Sequence, residues 1–191
     1  MTAFLALGFR HILSPSALDH LLFLLVLAAP YRFRDWRHLA AVASAFTVGH
    51  SVTLAMVASD TLRLPTALIE FLIPVTIVCA GLANLRQGDR RPAGWAGPLM
   101  AGGFGLIHGA GFANFLREMF SESVLLPLFS FNVGIELGQL AVLAASLLLL
   151  GGIDRLIGIP LPRAGRLPRT ALASLGAAGW AALLAIQRAP W

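Results

Sequence analysis

The sequence contains no lysine, one tyrosine and one cysteine, and only 12% of its 191 residues are charged. A soluble domain carries about 25% charged residues, so this composition excludes an ordinary water-facing fold. The lone Cys79 lies inside an apolar run, which rules out an intrachain disulfide and makes it a small core residue by expectation. No nucleotide-binding motif and no H-E-x-x-H pattern is present. Met1–Phe9 has no basic stretch and no evident cleavage site, so no cleavable leader is expected. The formal charge of +5 comes entirely from arginine. The arginines concentrate in short connecting segments, which reads as an orientation signal and not as a nucleic-acid surface.

What the chain does have is apolar length. Of its residues 58% are hydrophobic, and the mean hydropathy is +0.80. A membrane-crossing helix needs about 20 such residues. The apolar runs predict an all-α, polytopic transmembrane bundle occupying residues 1–191 as one domain. About six spans are expected, at 16–29, 36–59, 65–85, 93–116, 124–151 and 169–186. A short N-terminal helix, Met1 to Ile12, is expected to be interfacial, or else to share a longer tilted helix with the first span. Arg32, Arg34 and Arg37, then Arg86, Arg90 and Arg91, then Arg155, Arg163, Arg166 and Arg169 mark alternate connections. The positive-inside rule places these in the cytoplasm and both termini outside, for a protein of a bacterial inner membrane.

Against this background the buried ionisable residues stand out. His11, Asp19, His20, His50, Glu70, His108 and Glu136 lie in or beside apolar segments. Charged groups at the centre of a membrane cost roughly 2.5–3.5 kcal/mol each on insertion scales, so they face a bundle interior and serve function. Imidazole with carboxylate also suits a borderline divalent metal. At about 1.5 Å per helical residue, Asp19, His20 and Glu70 lie near the outer face. His50 and His108 lie deeper, with Glu136 near the midplane, as in a funnel. Asn132, Gln139, Ser51 and Thr47 are placed to support the ligands. Pro74 deprives the Glu70 carbonyl of its helical partner. Span 4 carries Gly105 and Gly109 at the spacing that permits close helix approach.

Each residue also has a plainer reading. A single intramembrane histidine is ordinarily satisfied by a neighbouring helix, Asp19 can cap its helix or pair with Arg10, and His11 reads equally as ligand or bystander. His38 lies among arginines and reads as solvated. Four acidic or imidazole groups on four separate spans argue more strongly for a metal. Phe46–His50 and Phe104–His108 share an F-x-x-x-H core on helices running the same way, each followed by a glutamate-bearing helix. Such pairs would place ligands pseudosymmetrically.

Several stretches, read in order, resemble the HupE/UreJ family. They are Gly8-Phe-Arg-His11-Ile, Leu18-Asp19-His20-Leu-Leu-Phe, Ala45-Phe-Thr-Val-Gly-His50-Ser-Val-Thr-Leu, Phe104-Gly-Leu-Ile-His108-Gly-Ala-Gly-Phe-Ala and Phe131-Asn132-Val-Gly-Ile-Glu136-Leu-Gly-Gln139. The resemblance implies a small polytopic inner-membrane protein tied to hydrogenase or urease maturation, with nickel uptake as its activity. It also implies that His11, Asp19, His20 and His108 handle the metal.

The expected function is therefore a permease for a divalent transition metal, nickel first, with zinc or cobalt as alternatives. Asp19, His20 and Glu70 would collect the ion, and His50, His108 and Glu136 would hold it at the midplane. Expected partners are the lipid bilayer, a cytoplasmic metallochaperone and, in an oligomer, further copies of the chain. No nucleic acid is expected. The rival class is an intramembrane zinc-dependent hydrolase acting on a lipid or peptide, in which the same residues leave one zinc position open to water.

Overall fold

The computed structural model describes residues 1–14, 17–87, 94–119, 125–156 and 168–190. The span starts expected at Ser16, Ala93 and Val124, and the loop residues Asp89, Arg90, Arg91, Glu122, Arg163 and Arg166, lie outside them. The described residues form seven α-helices: α1 Thr2–Leu13, α2 Leu18–Ala28, α3 Trp36–Ala58, α4 Thr66–Gln87, α5 Ala96–Met119, α6 Leu125–Leu156 and α7 Pro168–Gln187. No strand occurs among them.

Among the described residues, four stretches are long and apolar enough to cross a membrane: Phe33–Ala58, Thr66–Gln87, Leu125–Arg155 and Arg169–Gln187. A fifth arises if α1 and α2, bent by 70° at a short break, are taken as one span. Ser14, at that break, is extended (φ −69°, ψ 135°), the conformation favoured before a proline such as Pro15. Helix α5 has spanning length at 24 residues, but its glycines and His108 dilute its apolarity. Large apolar side chains such as Leu99, Leu148, Leu172, Leu183 and Ile186 face outward. That surface is stable only against lipid.

Glycine decides which helices touch. On α3 and α5, a Cβ at Gly102 would lie 3.4 Å from the carbonyl of Ala45, one at Gly105 would strike that of Phe46, and one at Gly109 that of His50. Higher numbers face higher numbers, so the two helices run parallel with their backbones in contact. Helices α1 and α6 do the same, with Gly134 against the Leu5 carbonyl and Gly138 beside that of Phe9. Among lipids, which give helices no hydrophobic reason to associate, such backbone approach is how helices gain contact. The F-x-x-x-H stretches thus lie side by side on the parallel pair α3 and α5.

The remaining helices are tied by polar groups. Asn84 of α4 donates to the Val26 carbonyl on α2 at 2.7 Å and to Ser174 Oγ on α7 at 3.2 Å. At the arginine-rich end, Thr170 donates to the Ala29 carbonyl at 3.1 Å. Arg169 reaches the Tyr31 carbonyl at 2.9 Å and Asp154 at 3.0 Å. At the edge of an arginine-rich connection, Arg169 is only 4% exposed and ties α6 and α7 to the backbone just beyond α2. Its replacement by methionine is expected to cost about 2 kcal/mol, measured by unfolding in detergent. That is less than the ~3–5 kcal/mol of a fully buried pair, because the Asp154 side chain keeps 21% exposure. Two further expectations are corrected. Cys79 is exposed on α4, and His38 is half-buried with its ring 5.7 Å from Tyr31.

Candidate metal centre

Helices α1, α2, α3 and α5 each bring one histidine to a common point. His11 and His20 lie 4.8 Å apart between ring centroids, His20 and His108 5.1 Å, His20 and His50 6.2 Å, and His11 and His50 6.5 Å. The 70° bend explains how His11 arrives, because it turns the end of α1 toward the start of α2. The contact of Gly109 with the His50 carbonyl draws α5 to α3 beside His108. His50 is 0% exposed and His108 1%.

The ring nitrogens carry the chemical message. His11 Nε2, His20 Nε2, both nitrogens of His50 and His108 Nδ1 are buried without a hydrogen-bond partner in the protein. Each such atom costs about 1–3 kcal/mol, and a neutral ring has one bare nitrogen, so four lone pairs, one per histidine, form an arrangement that a cation would stabilise. One ligand nitrogen from each of His11, His20 and His50 falls within a group spanning 4.8 Å. A first-row ion holds imidazole nitrogens at about 2.0–2.1 Å, hence no more than ~4.2 Å from one another. Ring movements of well under 1 Å would close the set around such an ion.

Above the histidines a cavity of about 420 Å³ opens among Ala17, Asp19, Glu70, Ile73, Gly111 and Arg188, with His11, His20 and His108 in its wall. On the other side lies an aromatic floor. Phe23, Phe46 and Phe104 each sit one helical turn from His20, His50 and His108 toward the arginine-rich end. Phe23 is 4.9 Å from Phe46 and 6.0 Å from Phe104 between centroids. Phe112 covers His11 at 4.0 Å and stacks on Phe131 at 5.4 Å.

The other expected ligands are placed differently. Asp19 is buried but is held by Arg188 Nη1 at 2.8 Å, and it does not pair with Arg10. Glu70 is exposed and lines the cavity mouth. Glu136, expected at the midplane with His50 and His108, does not join the histidine group. Its carboxylate accepts from Ser44 Oγ at 2.5 Å. The next polar rung on the α3–α6 face is Thr47 Oγ1 donating to Gln139 Oε1 at 3.1 Å. Ser51 donates to the Thr47 carbonyl at 2.6 Å, and Asn132 Oδ1 is buried without a partner. This second strip therefore joins helices beside the cluster. The sequence reading omitted two polar residues that touch the site, Arg188 and Thr76. Arg188 could have been noticed as an arginine at the arginine-poor end of the bundle. Thr76 had no such signal.

The fold and this centre define a multi-pass membrane protein whose interior carries a histidine cluster suited to a divalent transition metal. A profile described as HupE / UreJ protein matches residues 1–187, and the chain belongs to the HupE/UreJ family. These are accessory membrane proteins generally linked to nickel and cobalt transport. Comparison with curated proteins and with solved structures gives no significant match.

Proposed function

We propose that the protein is a permease for a divalent transition metal ion, nickel before zinc or cobalt, that takes its cargo from the face bearing Glu70 and Arg188. The observation that carries this reading is the convergence of four histidines, each with a buried unpartnered ring nitrogen, with three of them lining an open cavity. The donors are neutral nitrogens, which select borderline metals over magnesium or calcium. Glu70 at the mouth gives the ion its first anionic contact. Asp19 lies next in, where an arriving cation competes with Arg188 for the carboxylate. The histidines then replace water in the ion's shell. Family membership supports metal handling in general. The choice of nickel, residence in a bacterial inner membrane with both termini outside, and delivery to a cytoplasmic metallochaperone are parts of the proposal.

The test is equilibrium binding of nickel, cobalt and zinc to purified protein, followed by nickel flux into proteoliposomes. Micromolar, exchangeable nickel binding with flux is the expected result. Absence of both would end the proposal, and one zinc ion retained through dialysis would favour the hydrolase class.

A further inference from the structure

We propose that Thr76 is the positioning residue that fixes the tautomer of His108 and aims its Nδ1 lone pair into the histidine cluster. The argument begins with one hydrogen atom. Thr76 Oγ1 lies 2.6 Å from the Ile73 carbonyl oxygen. A carbonyl can only accept, so at that distance the hydroxyl proton must lie between the two oxygens. The same Oγ1 lies 2.9 Å from His108 Nε2. With its only proton committed to Ile73, the oxygen can only accept there, so His108 Nε2 carries the hydrogen. The opposite arrangement would leave two bare oxygens 2.6 Å apart.

A neutral imidazole has one N–H, so the bare nitrogen of His108 is Nδ1. That atom is buried and has no partner in the protein, in a ring 5.1 Å from that of His20. Thr76 is 3% exposed and His108 1%, so bulk water does not compete for the contact. The ring is held from behind by a hydroxyl and presents its lone pair forward. This is the arrangement by which a neighbouring group orients a metal-binding histidine and strengthens it as a donor. So aimed, His108 stands beside the group formed by His11, His20 and His50. A movement of its ring toward them would add a fourth imidazole nitrogen, a set suited to nickel, cobalt or zinc.

This inference rests on reading the cluster as a cation site, and the experiment separates the two. Full-length protein, its Thr76→Val and Thr76→Ser variants, and His108→Ala for assignment are purified with isotope-labelled histidine. Nitrogen NMR reports the tautomer of His108 without metal, and nickel is titrated separately. Wild type and Thr76→Ser are expected to show the Nε2–H form and to bind nickel within a few-fold of one another. Thr76→Val, nearly isosteric but without the hydroxyl, is expected to populate the Nδ1–H form and lose roughly 10- to 100-fold in nickel affinity. An Nδ1–H form in wild type would overturn the proposal. So would a valine variant with unchanged tautomer, or one with changed tautomer and unchanged affinity. If wild type binds neither nickel nor zinc, the permease reading falls, and the metal-free tautomer still decides whether Thr76 sets it.

Discussion

Replacing His50 by alanine is expected to lower nickel affinity by more than ~100-fold, because residues that merely orient a ligand are already worth 10–100-fold. His50 is the clearest single ligand of the site. It is 0% exposed, and neither ring nitrogen has a partner within the protein. Both His11 and His20 stand within 6.5 Å of it. Metal-free stability should respond quite differently. The substitution removes two unsatisfied buried atoms, which relieves about 1–3 kcal/mol each, and leaves a cavity, which costs a comparable amount. A variant that stays folded yet cannot hold nickel is thus the expected outcome by calorimetry and thermal unfolding. His38→Ala, at the arginine-rich end, serves as the control and should bind as wild type. Equal binding by both variants would remove His50 from the site.

The second large effect is expected from a single methyl group. In Gly109→Ala the new Cβ would fall on the carbonyl of His50, and backbone cannot move aside as a flexible side chain can. Helix α5 must withdraw from α3, carrying His108 away from His50. Overpacking of this kind costs about 1–3 kcal/mol, to be measured as loss of unfolding stability in detergent. Nickel binding should fall with it, since two of the four histidines change their separation. Gly103→Ala supplies the comparison on the same helix, because nothing lies within 4 Å of a Cβ at that position. It should be neutral or gain up to ~1 kcal/mol through helix propensity. If the two alanines behave alike, the backbone contact is not what holds α5 to α3.

Much of the bundle could be read from the sequence because its signals are local. Apolar length gives the helices, and proline and arginine mark their ends. His20, His50 and His108 were legible as candidates because an imidazole in an apolar helix needs an explanation wherever it occurs. His11 was not separable from a bystander, because its place depends on the angle between α1 and α2, a tertiary quantity. Glu136 misled for a related reason. Depth along a helix can be counted from the sequence, but the face it presents to α3 depends on packing, and that packing gives it Ser44 instead of the histidines. Arg188 and Asp19 lie 169 residues apart in sequence, so nothing near either one announces the pair. Thr76 is the extreme case, since a threonine in a membrane helix is ordinarily satisfied by its own turn.

Phe23, Phe46 and Phe104 close the side of the cluster that faces the arginine-rich end. A doubly charged ion reaching the histidines from the Glu70 side has donors along its way. On the other side it meets hydrocarbon edges for a full helical turn, with no oxygen or nitrogen among those three side chains. In the permease proposed above, an ion would then enter and leave this conformation by the same door. Passage to the arginine-rich side requires the three rings to part. The time an ion spends bound and the step that sets throughput would then be governed by aromatic packing, at residues that never bond to the metal.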